Sequence, residues 1–412
     1  MNIYKCVLML VSMALPITAA ANADCTSMTS SRDILLCAEA RSPEVKAAEL
    51  DLDRAKLQVG AAGQWKNPDL SAETFQGTVN NEKRSETDIS LGIPIELGGK
   101  ISARTQIAES GVALAEARLF EAKARVRSQV LLNLHRLRQV LHEQQVADEA
   151  INIYTKLLGQ YARRPGLSPE QQISAQVFRL SKNDYDLKKS AAGDEIAGLD
   201  SFFKLQLGKS AEEIRRSLPA SPKPWPKVSA SADTNKASPQ MRLLDAELNS
   251  AKGELSLAQS EAWPTLTVGP SVKMQSEAGQ SNSLYGFNLS LPIPVFNTNG
   301  GARAAANAGV KVSEARKQLG MNELTIKRDE IRKIYEQAVK SLDEGLSHDD
   351  IEKRHAESEK LFIKGVVPSA LVIESHRTWF DLEKTRNERE MKALESLLQL
   401  YILDGSILEA NL

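Results

Sequence analysis

Aromatic residues are scarce, at 5% of 412 positions. A large compact core assembled around Phe, Tyr and Trp is therefore not what this chain encodes, although its length leaves room for about two or three domains. Charge of one sign is missing too. The 52 Lys and Arg residues balance 53 Asp and Glu, leaving a net charge of −1, and the two signs interleave along the chain. With no basic surplus to neutralise phosphates, nucleic acid is excluded as a partner. Beyond the N-terminal region no apolar run approaches the ~18 residues of a membrane-crossing helix. Cysteine is limited to Cys6, Cys25 and Cys37, and these form no Cys/His cluster with metal-ligand spacing.

The signatures of catalysis are also absent. No nucleophile motif occurs. Gly98-Gly99-Lys100 falls short of a phosphate loop, because Pro94 stands where that pattern needs Gly and Ile101 where it needs Ser or Thr. His135 with His142, and His348 with His355, lie seven residues apart on helical segments, too far for one metal ion without further ligands. Solvated or capping roles are expected for them. No catalytic residue, no metal site and no cofactor are expected, and an enzyme is not.

What is present begins with an export signal. Lys5 gives the positive start, Val7 to Leu15 an apolar stretch, and Ala21-Asn22-Ala23 a small-residue cleavage site, so residues 1–23 read as a signal peptide and the mature chain starts at Asp24. A membrane anchor is the competing reading, against which stands the shortness of the run. In an oxidising periplasm Cys25 and Cys37 are positioned to pair. The other reading makes Cys25 a lipid-bearing N-terminus; Asp24 opposes it, standing where lipoprotein signals carry Gly, Ala or Ser.

The chain also repeats itself. Ser42-Pro43 recurs as Ser238-Pro239 and Pro68 as Pro264, both at an offset of 196; Pro94 recurs as Pro292 and Gly111 as Gly309 at 198, and Gly166 and Pro169 recur as Gly365 and Pro368 at 199. Five matches in one order imply duplication. Residues 24–217 form the first repeat, a Pro- and Ser-rich linker covers 218–237, and 238–412 form the second. Pro43 and Pro239, each behind a serine, read as first-turn prolines with a Ser cap. Each repeat carries two strands and two long helices. In the first the strands fall near 67–77 and 85–96 and the helices near 101–163 and 168–209; in the second the strands fall near 264–275 and 283–294 and the helices near 301–364 and 368–405.

The strands alternate with period two: Thr87, Ile89, Leu91, Ile93 and Ile95 oppose Asp88, Ser90, Gly92 and Pro94, and Tyr285, Phe287, Leu289, Leu291 and Ile293 alternate likewise. Their length suits a tilted membrane strand with one lipid-facing and one wet side. Open strand edges are not tolerated in lipid, so four strands must be closed by other copies, and three copies give twelve. The long helices, free of proline over Ser102–Tyr161 and Gly301–Lys364, carry stripes of coiled-coil spacing: Val126, Val130, Leu134, Leu137 and Leu141; Leu324, Ile331, Tyr335, Ala338 and Leu342. The fold class is mainly α with a small β part, internally repeated.

Ile93-Pro94-Ile95-Glu96-Leu97-Gly98-Gly99-Lys100, where strand gives way to long helix, carries a resemblance to a known family. So do Leu291-Pro292-Ile293-Pro294-Val295-Phe296-Asn297 with Gly300-Gly301, and the strand starts Asn67-Pro68 and Trp263-Pro264. Over nearly the whole mature chain the sequence resembles the TolC-like outer-membrane factors, and most of all their heavy-metal cation efflux branch, the CzcC type. The resemblance implies a homotrimer in outer-membrane lipid, a twelve-stranded barrel continued by a coiled-coil α-barrel in the periplasm. It also implies a periplasmic adaptor and an inner-membrane resistance-nodulation-division pump as partners, with divalent cobalt, zinc or cadmium as cargo.

By the same likeness Arg164, Gly166, Leu167 and Ser168, and Lys364, Gly365, Val366 and Val367, form the Gly-centred helical tips that meet the adaptor. Each Gly is expected to take a backbone geometry that other residues resist. Glu374 falls on a position that narrows the closed tunnel, whereas Leu371 stands where the family often has Asp. Two alternatives remain open on sequence: the same duct serving drugs or type I protein secretion, and a soluble periplasmic coiled-coil adaptor.

Overall fold

A computed structural model describes residues 25, 30–79, 82–229, 238–277, 280–364 and 366–410. The expected signal peptide, part of the linker (230–237) and Gly365 lie outside them. The chain opens with α1 (Ser31–Arg41), whose Ser30 and Asp33 cap each other's backbone, and α2 (Pro43–Ala62), where the Ser42 hydroxyl accepts from the Val45 N–H. Strands β1 (Asp69–Val79) and β2 (Glu82–Glu96) follow. Then come the 63-residue α3 (Lys100–Ala162), ~95 Å long, and α4 (Pro169–Leu207). A short α5 (Ala211–Ile214) and a 3-10 turn lead into the linker. The second repeat contains α6 (Pro239–Ser260), β3 (Thr265–Glu277), β4 (Gln280–Ser290), α7 (Gly300–Glu344), α8 (His348–Ile363) and α9 (Ser369–Leu403). Ser238 departs from the expected cap: it is fully buried and its hydroxyl makes no cap bond.

Two elements differ from the sequence expectation. The helix read as continuous over 301–364 is broken at Gly345-Leu346-Ser347. Gly345 leaves the helix in an extended conformation, Ser347 caps the new helix through Asp350, and Arg386 of α9 donates to the Leu342 and Leu346 carbonyls that the break frees. Strand β4 stops at Ser290 instead of running to 294. The matching residues of β2, including Pro94 opposite Thr267, stay in the sheet because β3 flanks them. Pro292 and Pro294 lack the N–H needed to hold a strand with one neighbour.

The stripes read from sequence are buried as expected, apart from Leu141, which is partly so. The main core gathers α1, α3, the end of α4 and the C-terminal Ile407. Cys25 and Cys37 are joined by a disulfide. At the same level the Arg127 guanidinium pairs with Glu39 of α1 and donates to the Ile407 and Leu408 carbonyls, tying the two terminal segments to α3. Near the linker, Arg328 forms a two-bond pair with Asp404 at 2.8 and 3.1 Å and donates to Ser229.

Candidate functional site

The four strands form one antiparallel sheet in the order β1-β2-β3-β4. Their register sorts the side chains, because directly opposed residues share a face. Leu70 opposes Leu91, Ala72 opposes Ile89, Ile89 opposes Val272, Val268 opposes Leu289 and Val272 opposes Tyr285, so these apolar residues line a single side. The other side carries Asp69, Ser71, Glu73, Glu86, Asp88, Ser90, Ser271, Lys273 and Asn288. There Lys273 bridges Glu86 and Asp88, and Ser71 meets Ser90 at 2.7 Å. The apolar side is left open to the surroundings: Tyr285, Phe287 and Leu289 are 83%, 73% and 67% exposed. Among the described residues β1 pairs only with β2 and β4 only with β3, so both outer edges are bare.

The Glu96 to Lys100 segment turns the sheet into helix, and its residue types have local causes. Glu96 receives two bonds from Arg104, at 3.0 and 2.9 Å, and lies 3.6 Å from Lys66. Gly98 has φ +76° and lies against the Trp263 ring, where a Cβ would sit 2.6 Å from a ring carbon. Gly99, at φ +80°, is the first cap of α3, and Lys100 Nζ reaches the Thr265 hydroxyl at 3.4 Å. At Gly269 a Cβ would come within 1.7 Å of the Leu91 carbonyl, so only glycine lets β2 and β3 close here.

At the opposite end lie the helical tips. Arg164, Gly166 and Ser168 are exposed and Leu167 partly so; Ser168 and Gln171 form a capping box that starts α4. Arg164 sits 5.5 Å from the centre of the Tyr161 ring. Gly166 does not take a left-handed backbone, and a Cβ on it would meet nothing. The expectation of a glycine-only geometry therefore fails for this tip. In the second tip Lys364 and Val366 are exposed and Val367 partly so. Glu374 projects from the first turns of α9 and pairs with Arg377 at 3.0 Å.

Just above the tips lies an aromatic cluster that the sequence reading did not assemble: Tyr154 of α3, Phe178 and Tyr185 of α4, Ile351 of α8, and Trp379 and Phe380 of α9. His355 of α8 stacks on Trp379 with ring centres 3.7 Å apart and meets His376 of α9 edge to face at 4.6 Å. Contrary to the expected solvated role, His135 and His355 are buried, at 1% and 6% exposed, as is His376 at 1%. His355 pairs across helices, with a residue that no spacing along the chain connects to it. Farther along α3, Arg138, Gln139 and Glu143 meet Glu390 and Asn387 of α9, while Arg136 joins Glu143 to Glu195 of α4. Burial, with Arg138 beside it, pushes the neighbouring His135 imidazole down to about 4. Among the described residues no group of three or more His, Cys, Asp or Glu is arranged to hold a metal, and no helix is long and apolar enough to cross a membrane.

Residues 36–165 match the family model described as outer membrane efflux protein. Over 261 residues, 62% of this chain and 61% of the relative, the sequence is 25% identical to the cobalt-zinc-cadmium resistance protein CzcC of Cupriavidus metallidurans. Over 281 residues, 67% of this chain and 63% of the relative, it is 20% identical to the nickel-cobalt-cadmium resistance protein NccC of Alcaligenes xylosoxydans xylosoxydans. The chain thus spans less than two thirds of these curated relatives. The fold superimposes on the Campylobacter jejuni CmeC outer membrane channel with a TM-score of 0.67 and 14% identity, covering 92% of this chain and 86% of the channel, a likeness of fold. In fold, then, the chain is similar to an outer membrane channel, and over residues 36–165 its sequence matches the outer membrane efflux protein family.

Proposed function

We propose that the chain is the outer-membrane duct of a tripartite resistance-nodulation-division efflux system exporting divalent heavy-metal cations of the cobalt, zinc and cadmium class. It acts as a conduit with no catalytic step of its own. The sheet carries this reading: one mainly apolar face, one mainly polar face that also bears Phe75 and Leu284, and two bare edges suit a wall segment of a membrane barrel, which no single copy can close. Three copies make twelve strands, and the long helices extend the passage toward an inner-membrane pump. The resistance named for CzcC and NccC supports the cargo class. The tip residues Arg164, Gly166, Leu167, Ser168, Lys364, Gly365, Val366 and Val367 are read as the adaptor-facing surface, and Glu374 as a carboxylate at the periplasmic narrowing.

A deletion strain tests the reading. Loss of the chain should lower tolerance to at least one of these cations several-fold, restored by the wild-type gene. Unchanged metal tolerance with new drug sensitivity or a secretion defect would move the duct to another cargo, and recovery in the soluble periplasmic fraction would favour an adaptor.

A further inference from the structure

We propose that the barrel closes with β1 of one copy pairing with β4 of the next in one register, in which Phe75 lies opposite Gly286 and Leu284 opposite Gly77. This closure deepens the barrel reading and rests on it.

Both outer strands are 11 residues long, and among the described residues neither has a second neighbour. Phe75 on β1 and Leu284 on β4 stand on the polar side of the sheet, opposite Glu86 and Lys273 of the adjoining strands, and remain 60% and 55% exposed. Two positions farther along each strand is a glycine, Gly77 and Gly286. Neither has a left-handed backbone, and a Cβ on Gly77 would meet nothing within its own chain. One copy alone therefore gives no reason for glycine at 77.

The neighbouring copy supplies one. Strand directions alternate across the sheet, so β1 of the next copy runs antiparallel to β4. With Ser71 set opposite Ser290, and successive pairs continuing to Val79 opposite Asn282, Phe75 of one copy meets Gly286 of the other and Leu284 meets Gly77. Each large side chain then covers a residue that has none, and the two touch as diagonal neighbours. On the lipid side Ala72 faces Leu289 and Thr74 faces Phe287, while Leu70 reaches Leu291 just past the end of β4. Because β4 carries no charged residue, no like-charged pair arises at the seam.

Barrel geometry selects the same pairing. Followed straight across the sheet, Phe75 leads to Glu86, Gln275 and Asn282, and Asn282 then meets Val79 of the next copy, four residues farther along β1. Repeated over three copies, at about 3.3 Å per residue and about 4.8 Å between strands, that stagger tilts the strands by about 35°, within the range of membrane barrels. Aligning the strand ends flush halves the stagger, leaves a tilt of about 20° and sets Phe75 against Leu284. A slip by two residues the other way sets Gly77 against Gly286 and leaves both large side chains without a glycine opposite.

Cysteine pairs in the full-length protein, assembled in outer membranes and oxidised, test this; Cys25 and Cys37 are already joined and do not compete. A72C/L289C and S71C/S290C occupy successive rungs, one of which has the closer spacing. The better of the two should give covalent dimers and trimers about ten-fold more abundantly than A72C/F287C or A72C/L291C, whose Cβ atoms lie a diagonal apart. G77L should lower the yield of heat-resistant trimer several-fold, and adding L284G should restore it. Assembled oligomers that cross-link best through a shifted pair or through none, or a G77L defect that L284G leaves in place, would overturn this register while the barrel stands. Membranes holding only monomer would remove the barrel reading and the closure together.

Discussion

At the scale of single residues, buried polar groups mark where the molecule is sensitive to conditions. His135 is 1% exposed, and neither ring nitrogen has a hydrogen-bond partner among the described residues. Its imidazole titrates at about 4 in the folded chain against an ordinary 6.5. The unfolded chain binds the extra proton first, so the folded state is at full strength above about pH 6.5 and loses up to ~3 kcal/mol as pH falls toward 4. His135→Leu, close in volume and without unsatisfied nitrogens, should remove that slope and raise the unfolding temperature relative to wild type more at pH 5 than at pH 7.5. Circular dichroism melts at the two pH values would show it, and an unchanged pH slope would remove the role assigned to this side chain. Sequence placed His135 on a helix but did not bury it, since burial depends on which elements pack against α3, and the charge of Glu390 acts on it from 255 positions farther along the chain. The glycines behaved differently. Gly98 and Gly99, singled out in the sequence only as part of a motif, take left-handed backbones, while Gly166, expected to need such a geometry, does not.

At the scale of elements, period-two alternation was enough to divide the strands into two faces, because strand geometry alone sends neighbours to opposite sides. The register adds which residues share a face, and it separates Phe287 on the apolar side from Asn288 on the polar side. Phe287→Arg should cost ~2–4 kcal/mol through burial of charge toward lipid, seen as lost membrane assembly, whereas Asn288→Arg should insert normally. Equal effects of the two would mean that the apolar face does not meet lipid. Less legible were the element ends. The end of β4 depends on its having β3 alone beside it, where Pro292 and Pro294 cannot hold the strand. The α7–α8 break depends on Arg386, a residue of another helix, and the Gly345-Leu346-Ser347 sequence gives only a modest local signal for it.

At the scale of the whole molecule, the two repeats meet as a single sheet through the β2–β3 pairing, while β1 and β4 remain as complementary free edges. Such edges are head-to-tail surfaces, and closure into a ring follows if the rotation between copies is right. Mass measurement in detergent should give three copies. A folded monomer as the sole species would leave the bare edges unexplained. The duplication that brings these edges about was visible in the sequence as spaced Pro and Gly pairs, but the count of copies was not, because no residue pattern within one chain sets the rotation between two.

Arg127 draws residues near both termini to one place, partway along α3, about 40 Å from its sheet end and about 50 Å from the helical tips. A fluorescent label attached at the exposed Glu409, beside the Leu408 carbonyl that Arg127 holds, would consequently sit on the flank of the chain, far from both the sheet and the tips, and could report on its surroundings while leaving those ends clear.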